Sequence, residues 1–329
     1  MFQLKIVEAD IYNLDFHHLK TINHNNVQFI AIEDYNNIRE EVKKCRESRE
    51  NILTGTVKVE IPDHIEEEMA TDYSIELLYY YDLLLGFAQN RDLFFNNYSL
   101  FNIENGERKH KSTLTKSIRI GKKYPVPIIY HKGLKNFLEI SIPLIMNNDY
   151  DKKTGIRRIL AFWKECNLYT TSVVEINIPL LFSALEVVSN LFLENNPTTF
   201  LFPEERWKEI ITDAGKFCDS LNIVGHERDR ILGSLGFLKS GSAKEKIQYM
   251  LERLGFPIYN NDLSNIIKLR NDIIHGRKPK DRYESDDPAD LALKCLRLVE
   301  KIILHFLNFL DKPQFLHGAY TKEDLRAIM

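Results

Sequence analysis

The stretch 287–311, DPADLALKCLRLVEKIILHFLNFLD, constrains the fold more than any other part of the chain. Apolar residues at 292, 295, 296, 299, 302, 303, 306 and 310 recur at three- and four-residue intervals, which is one face of an α-helix. A long helix with one apolar face must bury that face against other elements. The residues before it supply partners. IRRILAFWKECNLY (156–169) and PEERWKEIITDAGKFCDSL (203–221) read as helices, and so does IPLLFSALEVVSNLFLEN (178–195), with Pro179 near its first turn. SAKEKIQYMLERLG (242–255) has Ser242 and Glu245 in capping-box spacing and Gly255 as a stop. Asp262 is expected to cap a further helix over 263–275. The expectation is an all-α bundle over residues 151–329.

The first 150 residues read differently. Parts of 2–11, 26–33 and 54–62 are short apolar or alternating runs, the last with Val57, Val59 and Ile61 before Pro62, as in strands. Residues 72–90 have the spacing of a buried helix, 117–130 return to strand-like text, and 37–51 read as a surface helix or loop. The fold class expected is therefore α+β: a mixed α/β N-terminal domain (1–150, role unassigned, sensor or regulatory), then the helical bundle (151–329). The polar run NNDYDKKTG (147–155) is read as the turn or linker between them.

Composition narrows the function. The formal net charge is −3, so a polyanion site must be local. Cys45, Cys166, Cys218 and Cys295 are widely spaced with no C-x-x-C pair. That argues against a metal knuckle or disulfide framework, and no metal or cofactor is expected. The spacing fits a cytoplasmic setting. No signal-peptide pattern and no uncharged apolar run of membrane length is read in the sequence, so no membrane partner is expected.

One stretch breaks its own pattern. In LRNDIIHGRK (269–278), stepping 100° per residue places Leu263, Ile266, Ile267, Ile273 and Ile274 on one stripe, with Arg270 inside it. A buried cation needs a partner. Asn271 and His275 are i, i+4 neighbours beside the stripe, and Gly276 stops the helix. Between 268 and 282 six basic residues face two acidic ones. The plain reading is an ion pair inside the bundle, with Glu186 one candidate partner, and a helix-terminal histidine.

The letters Arg270–Asn271–x–x–x–His275–Gly276, late in a helical domain, resemble the R-x4-H signature of the HEPN superfamily, most closely its Apea-like group. Ala184-Leu185-Glu186 in an earlier helix resembles a text common in that family. The likeness covers about residues 155–312. It implies a metal-independent endoribonuclease in which the substrate 2′-OH attacks the adjacent phosphorus and leaves a 2′,3′-cyclic phosphate. Its implied catalytic residues are Arg270, His275 and Asn271, with Lys268, Arg277 and Lys278 contacting RNA. The same likeness implies a homodimer with a composite site, and a toxin or anti-phage setting with an antitoxin or phage-derived trigger. Residue chemistry fits: histidine titrates near neutrality and arginine's fork suits phosphorane charge. Arg277 stands where one toxin subgroup has tyrosine, which sets this chain apart from that subgroup. Some family members only dimerise or bind RNA, so a non-catalytic module is the alternative, and a structural bundle with an ion-paired Arg270 is a third.

Other features receive plainer readings. His17-His18 lack companion ligands, and 226–230 (HERDR) read as a solvated helix start. Tyr79-Tyr80-Tyr81 read as core and rim, Phe306 and Phe309 as core or dimer interface, and Gly233-x-x-Gly236 as too isolated for a phosphate loop. The acid-rich run 284–290 reads as a helix cap.

Overall fold

Alternation in the first strand shows how the N-terminal half is built. The computed structural model describes residues 5–16, 21–32, 52–90, 93–102, 108–111, 127–168, 174–196, 204–239, 241–256, 260–277 and 287–317. In β1 (Lys5–Tyr12), Val7, Ala9 and Ile11 are buried and their neighbours half-exposed. Partner strands repeat the pattern. They are β2 (Thr21–His24), β3 (Val27–Ala31), β4 (Leu53–Ile61), β5 (Phe94–Asn102) and β6 (Arg108–Lys111). All pairings are antiparallel, in the order β2-β3-β4-β1-β5-β6. The register sets Val7 opposite both Val59 and Leu100, so these apolar residues share one face.

That face is covered by α1 (Glu67–Gln89), which touches β1, β4 and β5. On its other sides α1 meets α2 (His131–Met146) and α4 (Ile156–Leu168). A helix enclosed this way is apolar nearly all round, and from Leu83 to Ala88 every residue of α1 is buried. Between α2 and α4 lies α3 (Asn148–Thr154). Asn147 caps it by accepting from the Tyr150 amide at 3.0 Å, and Gly155 closes it at φ +66°. The polar run read as a linker is thus a short capped helix.

The remaining helices are α5 (Val174–Asn195), α6 (Glu204–Ser220), α7 (His226–Lys239), α8 (Ala243–Arg253), α9 (Asn260–Ile274) and α10 (Pro288–Phe306). Helix α5 is central, touching α3, α4, α8, α9 and α10, while α6 and α7 pair with each other. By length and composition α5 is apolar enough to cross a membrane; here it is the bundle's inner helix. The capping box at Ser242 and Glu245 forms as expected, and Asp287 caps α10. Asp262 lies inside the first turn of α9, not at its cap, and pairs with Lys294 at 3.0 Å. The fold is therefore mixed α+β, with an antiparallel sheet followed by a helical region.

The expected boundary at 150/151 leaves no break in the core. The Phe87 ring lies 6.4 Å from Phe137 and 5.0 Å from Trp163, and Phe137 meets Phe309 at 5.1 Å. Buried Lys164 binds the Asp82 carboxylate and the Leu93 carbonyl across the same seam. The end of the chain also returns to the first half, because Ile129 bridges to Leu316. Gly133 permits this approach: a Cβ there would stand 2.6 Å from Phe315 Cβ. The segments read at 37–51 and 117–126 lie outside the described residues.

Two polar side chains, Glu300 and His24, are buried with partners in the core. Glu300, buried on α10, accepts from Trp163 Nε1 at 3.2 Å and from Arg297 Nη1 at 3.0 Å. Glu300→Ala leaves the buried Trp163 Nε1 without this acceptor and removes one partner of Arg297; it is expected to lose roughly 2–4 kcal/mol, with Glu300→Gln losing less, measured by urea unfolding. His24 is buried on β2 and shares a 2.6 Å hydrogen bond with the Tyr81 hydroxyl. Burial lowers its pKa; Glu139 acts to raise it and Lys135 to lower it. An unfolded chain therefore takes up the proton first as pH falls below the ordinary histidine value of 6.5. The His24 contribution is whole above that value and shrinks below it. His24→Gln is expected to show a smaller loss of Tm between pH 7.5 and 5.5 than the unaltered chain.

Candidate functional site

The unusual stretch sits where α9 ends. The Arg277 amide donates to the Asp272 carbonyl at 2.7 Å and the Gly276 amide to the Ile273 carbonyl at 3.1 Å, with Gly276 at φ +62°. This Schellman closure makes His275 the capping residue just past Ile274, and it is exposed. Its own amide donates to the Asn271 carbonyl at 3.0 Å.

The buried face of α9 is Leu263, Asn265, Ile266 and Leu269, packed against α5, α8 and α10. Ile267 and Ile273 are partly buried, whereas Ile274 is 50% exposed. The stripe read from the sequence therefore lies one residue row off. Leu269 belongs to it, and Ile274 does not, because the last turn runs past the helices that cover the earlier ones.

Arg270 falls on the edge of that face. Its guanidinium lies over the Phe182 ring, 5.3 Å from the centroid. Nη1 donates to Asn271 Oδ1 at 3.0 Å, and Nη2 stands 3.8 Å from Glu186 Oε2. Phe182 and Glu186 are one turn apart on α5, so one helix face supplies both a flat support and an anion. The ion pair is loose: 3.8 Å exceeds hydrogen-bond length, and the two side chains are 29% and 32% exposed. Glu186 is thus the partner that the plain reading named. Phe182 was not singled out in the sequence; its signal was its position four residues before Glu186.

The other site residues are spread. Lys268 and Arg277 are exposed, and Lys278 lies outside the described residues. Among the described residues no hydrogen bond joins the His275 ring to Arg270 or Asn271. Five residues of helix turn the two side chains about 140° apart, so a single chain directs them to different sides. Helix α8 brings Lys244 to Ser264 at 2.7 Å and Lys246 to Asn190 at 3.1 Å, adding cations near α9 and α5 that sequence reading did not select.

The lesser candidates resolve simply. Tyr80 and Tyr81 are buried and Tyr79 is exposed, with Arg157 lying 4.8 Å over the Tyr80 ring. His226 opens α7, and Gly233 and Gly236 lie within that helix. Phe306 and Phe309 are core. Cys166, Cys218 and Cys295 are buried thiols, and none is in a disulfide. His17, His18 and Cys45 lie outside the described residues. Among the described residues no three His, Cys, Asp or Glu side chains group as a metal site. Comparison of the chain with protein-family models, curated proteins and solved structures gave no match.

The geometry sets a stability expectation. The loose Arg270–Glu186 pair is worth about 0–1 kcal/mol and the ring contact about 0.5–1 kcal/mol. Arg270→Ala should therefore lose no more than about 2 kcal/mol, and His275→Ala less than about 1 kcal/mol, by denaturant unfolding. A larger loss in the histidine variant would give that residue a structural role.

Proposed function

We propose that this chain is a metal-independent endoribonuclease of the HEPN type, acting as a homodimer. The observation that carries the reading is the contrast between Arg270 and His275. The guanidinium is held flat by Phe182 and Asn271 with only a loose carboxylate at its far nitrogen, while the imidazole stands exposed at a closed helix end. One is a pre-positioned hydrogen-bond donor to an anion and the other an accessible proton carrier.

In the proposed reaction the RNA 2′-oxygen forms a bond to the adjacent phosphorus, and the bond from phosphorus to the 5′-oxygen breaks. A neutral His275 imidazole takes the 2′-hydroxyl proton, and an imidazolium returns a proton to the departing 5′-oxygen. The products are a 2′,3′-cyclic phosphate and a 5′-hydroxyl. Arg270 stabilises charge on the non-bridging oxygens, and Asn271 fixes the Arg270 fork. Lys268, Arg277 and Lys278 hold flanking phosphates. Two copies about a two-fold axis bring an arginine and a histidine to one phosphate. The setting proposed is cytoplasmic toxin or anti-phage defence, released by loss of an antitoxin or by a phage-derived trigger, with the N-terminal region as sensor or regulator.

One observation favours a second reading. Arg270 already has an anion and a ring within its own chain, which suits a non-catalytic HEPN module for dimerisation or for binding RNA or a partner. Activity separates the two. The purified protein is expected to cut RNA in EDTA and leave cyclic phosphate ends. His275→Ala should lose roughly 10²–10⁴ in rate at unchanged Tm. Cutting that survives this substitution, or that strictly requires a divalent metal, overturns the nuclease reading. Sedimentation at micromolar concentration should show a dimer, and a monomer would remove the composite site.

A further inference from the structure

Acidic residues vanish from one long part of the chain. From 108 to 138 there are nine Lys or Arg and no Asp or Glu. The formal charge there is +9 in a chain of −3, so the remainder carries −12. The stretch begins at β6, which reads RKHK along the outer edge of the sheet, and ends in the first turns of α2.

At the start of α2 the side chains form a definite surface. Tyr130 is 37% exposed. His317 lies beside it, with ring centroids 5.4 Å apart and planes at 48°. Lys132 Nζ stands 5.8 Å from the centre of the Tyr130 ring. Lys135, one turn on, has a side chain 74% exposed, with Glu139 3.8 Å away. Backbone bonds hold the two rings in place. The Tyr130 amide donates to the Phe315 carbonyl at 2.8 Å, and the His317 amide to the Ile128 carbonyl at 3.0 Å. A partly exposed ring with one lysine over it and a second one turn further along the helix, the ring fixed by paired backbone, is chemistry that takes a stacked base and neighbouring phosphates.

We propose that Tyr130, Lys132 and Lys135 form a contact surface for single-stranded RNA, with a base stacked on Tyr130 and neighbouring phosphates on the lysines. The proposal rests on RNA as the substrate class, and it assigns part of the binding to elements remote in sequence from Arg270 and His275. Single-stranded RNA suits the surface better than a membrane does, since a lipid surface needs an apolar anchor beside the cations and Tyr130 stands there with polar neighbours. An acidic peptide would use the lysines and leave the ring without a task.

The test uses the full chain carrying His275→Ala, a labelled twelve-nucleotide oligouridylate, and fluorescence anisotropy across a salt series. Tyr130→Ala is expected to weaken binding roughly fivefold to a hundredfold with little change in salt slope, and Tyr130→Phe to keep the affinity. Lys132→Ala with Lys135→Ala should reduce the slope of log affinity against log salt by about 1.4, near 0.7 for each lost phosphate contact. Inorganic polyphosphate should respond to the lysine pair and ignore Tyr130. Unchanged affinity and slope in these variants, no RNA binding at all, or loss of binding to phosphatidylserine vesicles alone would each overturn the proposal. Dependence on Tyr130 and the lysines in a chain that never cuts RNA would leave this surface standing and remove the nuclease reading. Cutting by the unaltered chain, with normal binding by the variants, would do the reverse.

Discussion

Enclosure of α5 by five other helices is the constraint from which the second half follows. A helix packed on so many sides has few places to put a polar side chain. Its buried positions, among them Leu181, Phe182, Ala184, Leu185 and Val188, form the face turned to those helices. Glu186 is partly exposed along the seam beside α9. Arg270 reaches that seam from the other helix. The loose ion pair is thus a consequence of packing as well as a feature of the site, and the Phe182 ring one turn earlier gives the guanidinium a dry floor.

Sequence periodicity was legible where one partner lay on one side. β1 and β4 alternate because the sheet has one covered face, and α10 keeps the three-four spacing for most of its length. It failed where partners lay on adjoining sides. Glu300 and Lys301 have the letters of an exposed face, yet both are buried, because α10 packs on α4 and α5 together. Burial holds the Lys301 ammonium pKa down to about 8, and Glu300 is kept by Trp163 and Arg297. β5 escaped reading for another reason. Its text FFNNYSLFN does not alternate, because a bulge opposite Glu8 and Asp10 admits an extra residue, with Asn97 at φ +55°.

Domain division shows the same limit. A polar run at 147–155 looks like a hinge when only composition is weighed. Its first and last letters, Asn147 and Gly155, are also a helix cap and a helix stop, and local hydrogen bonding made the run a helix. What joins the halves is the aromatic chain Phe87, Phe137, Trp163 and Phe309, with members drawn from distant segments. Contacts of that range leave no periodic signal in the sequence.

The site was legible as letters but not as geometry. Residues 270 to 276 pointed to an arginine and a histidine of unusual placement; Arg270 lies partly exposed at the edge of the helix's buried face and His275 lies exposed at its end. Rotation along one helix fixes the rest. Five residues advance the axis by about 7.5 Å and turn it about 140°. Donors to a phosphorane must stand near 3 Å from its oxygens. By that rotation His275, at the closed end of α9, faces a different side from the seam where Arg270 rests on Phe182, so the helix geometry disfavours bringing both to one phosphorus within a single chain. That turn is held by the two Schellman hydrogen bonds, which resist unwinding. In the proposed reading, a second copy of the chain supplies the other member of the pair. The half-exposed fork of Arg270, with a carboxylate near enough to hold it and too far to saturate it, is in the state that a phosphate from outside the chain can enter.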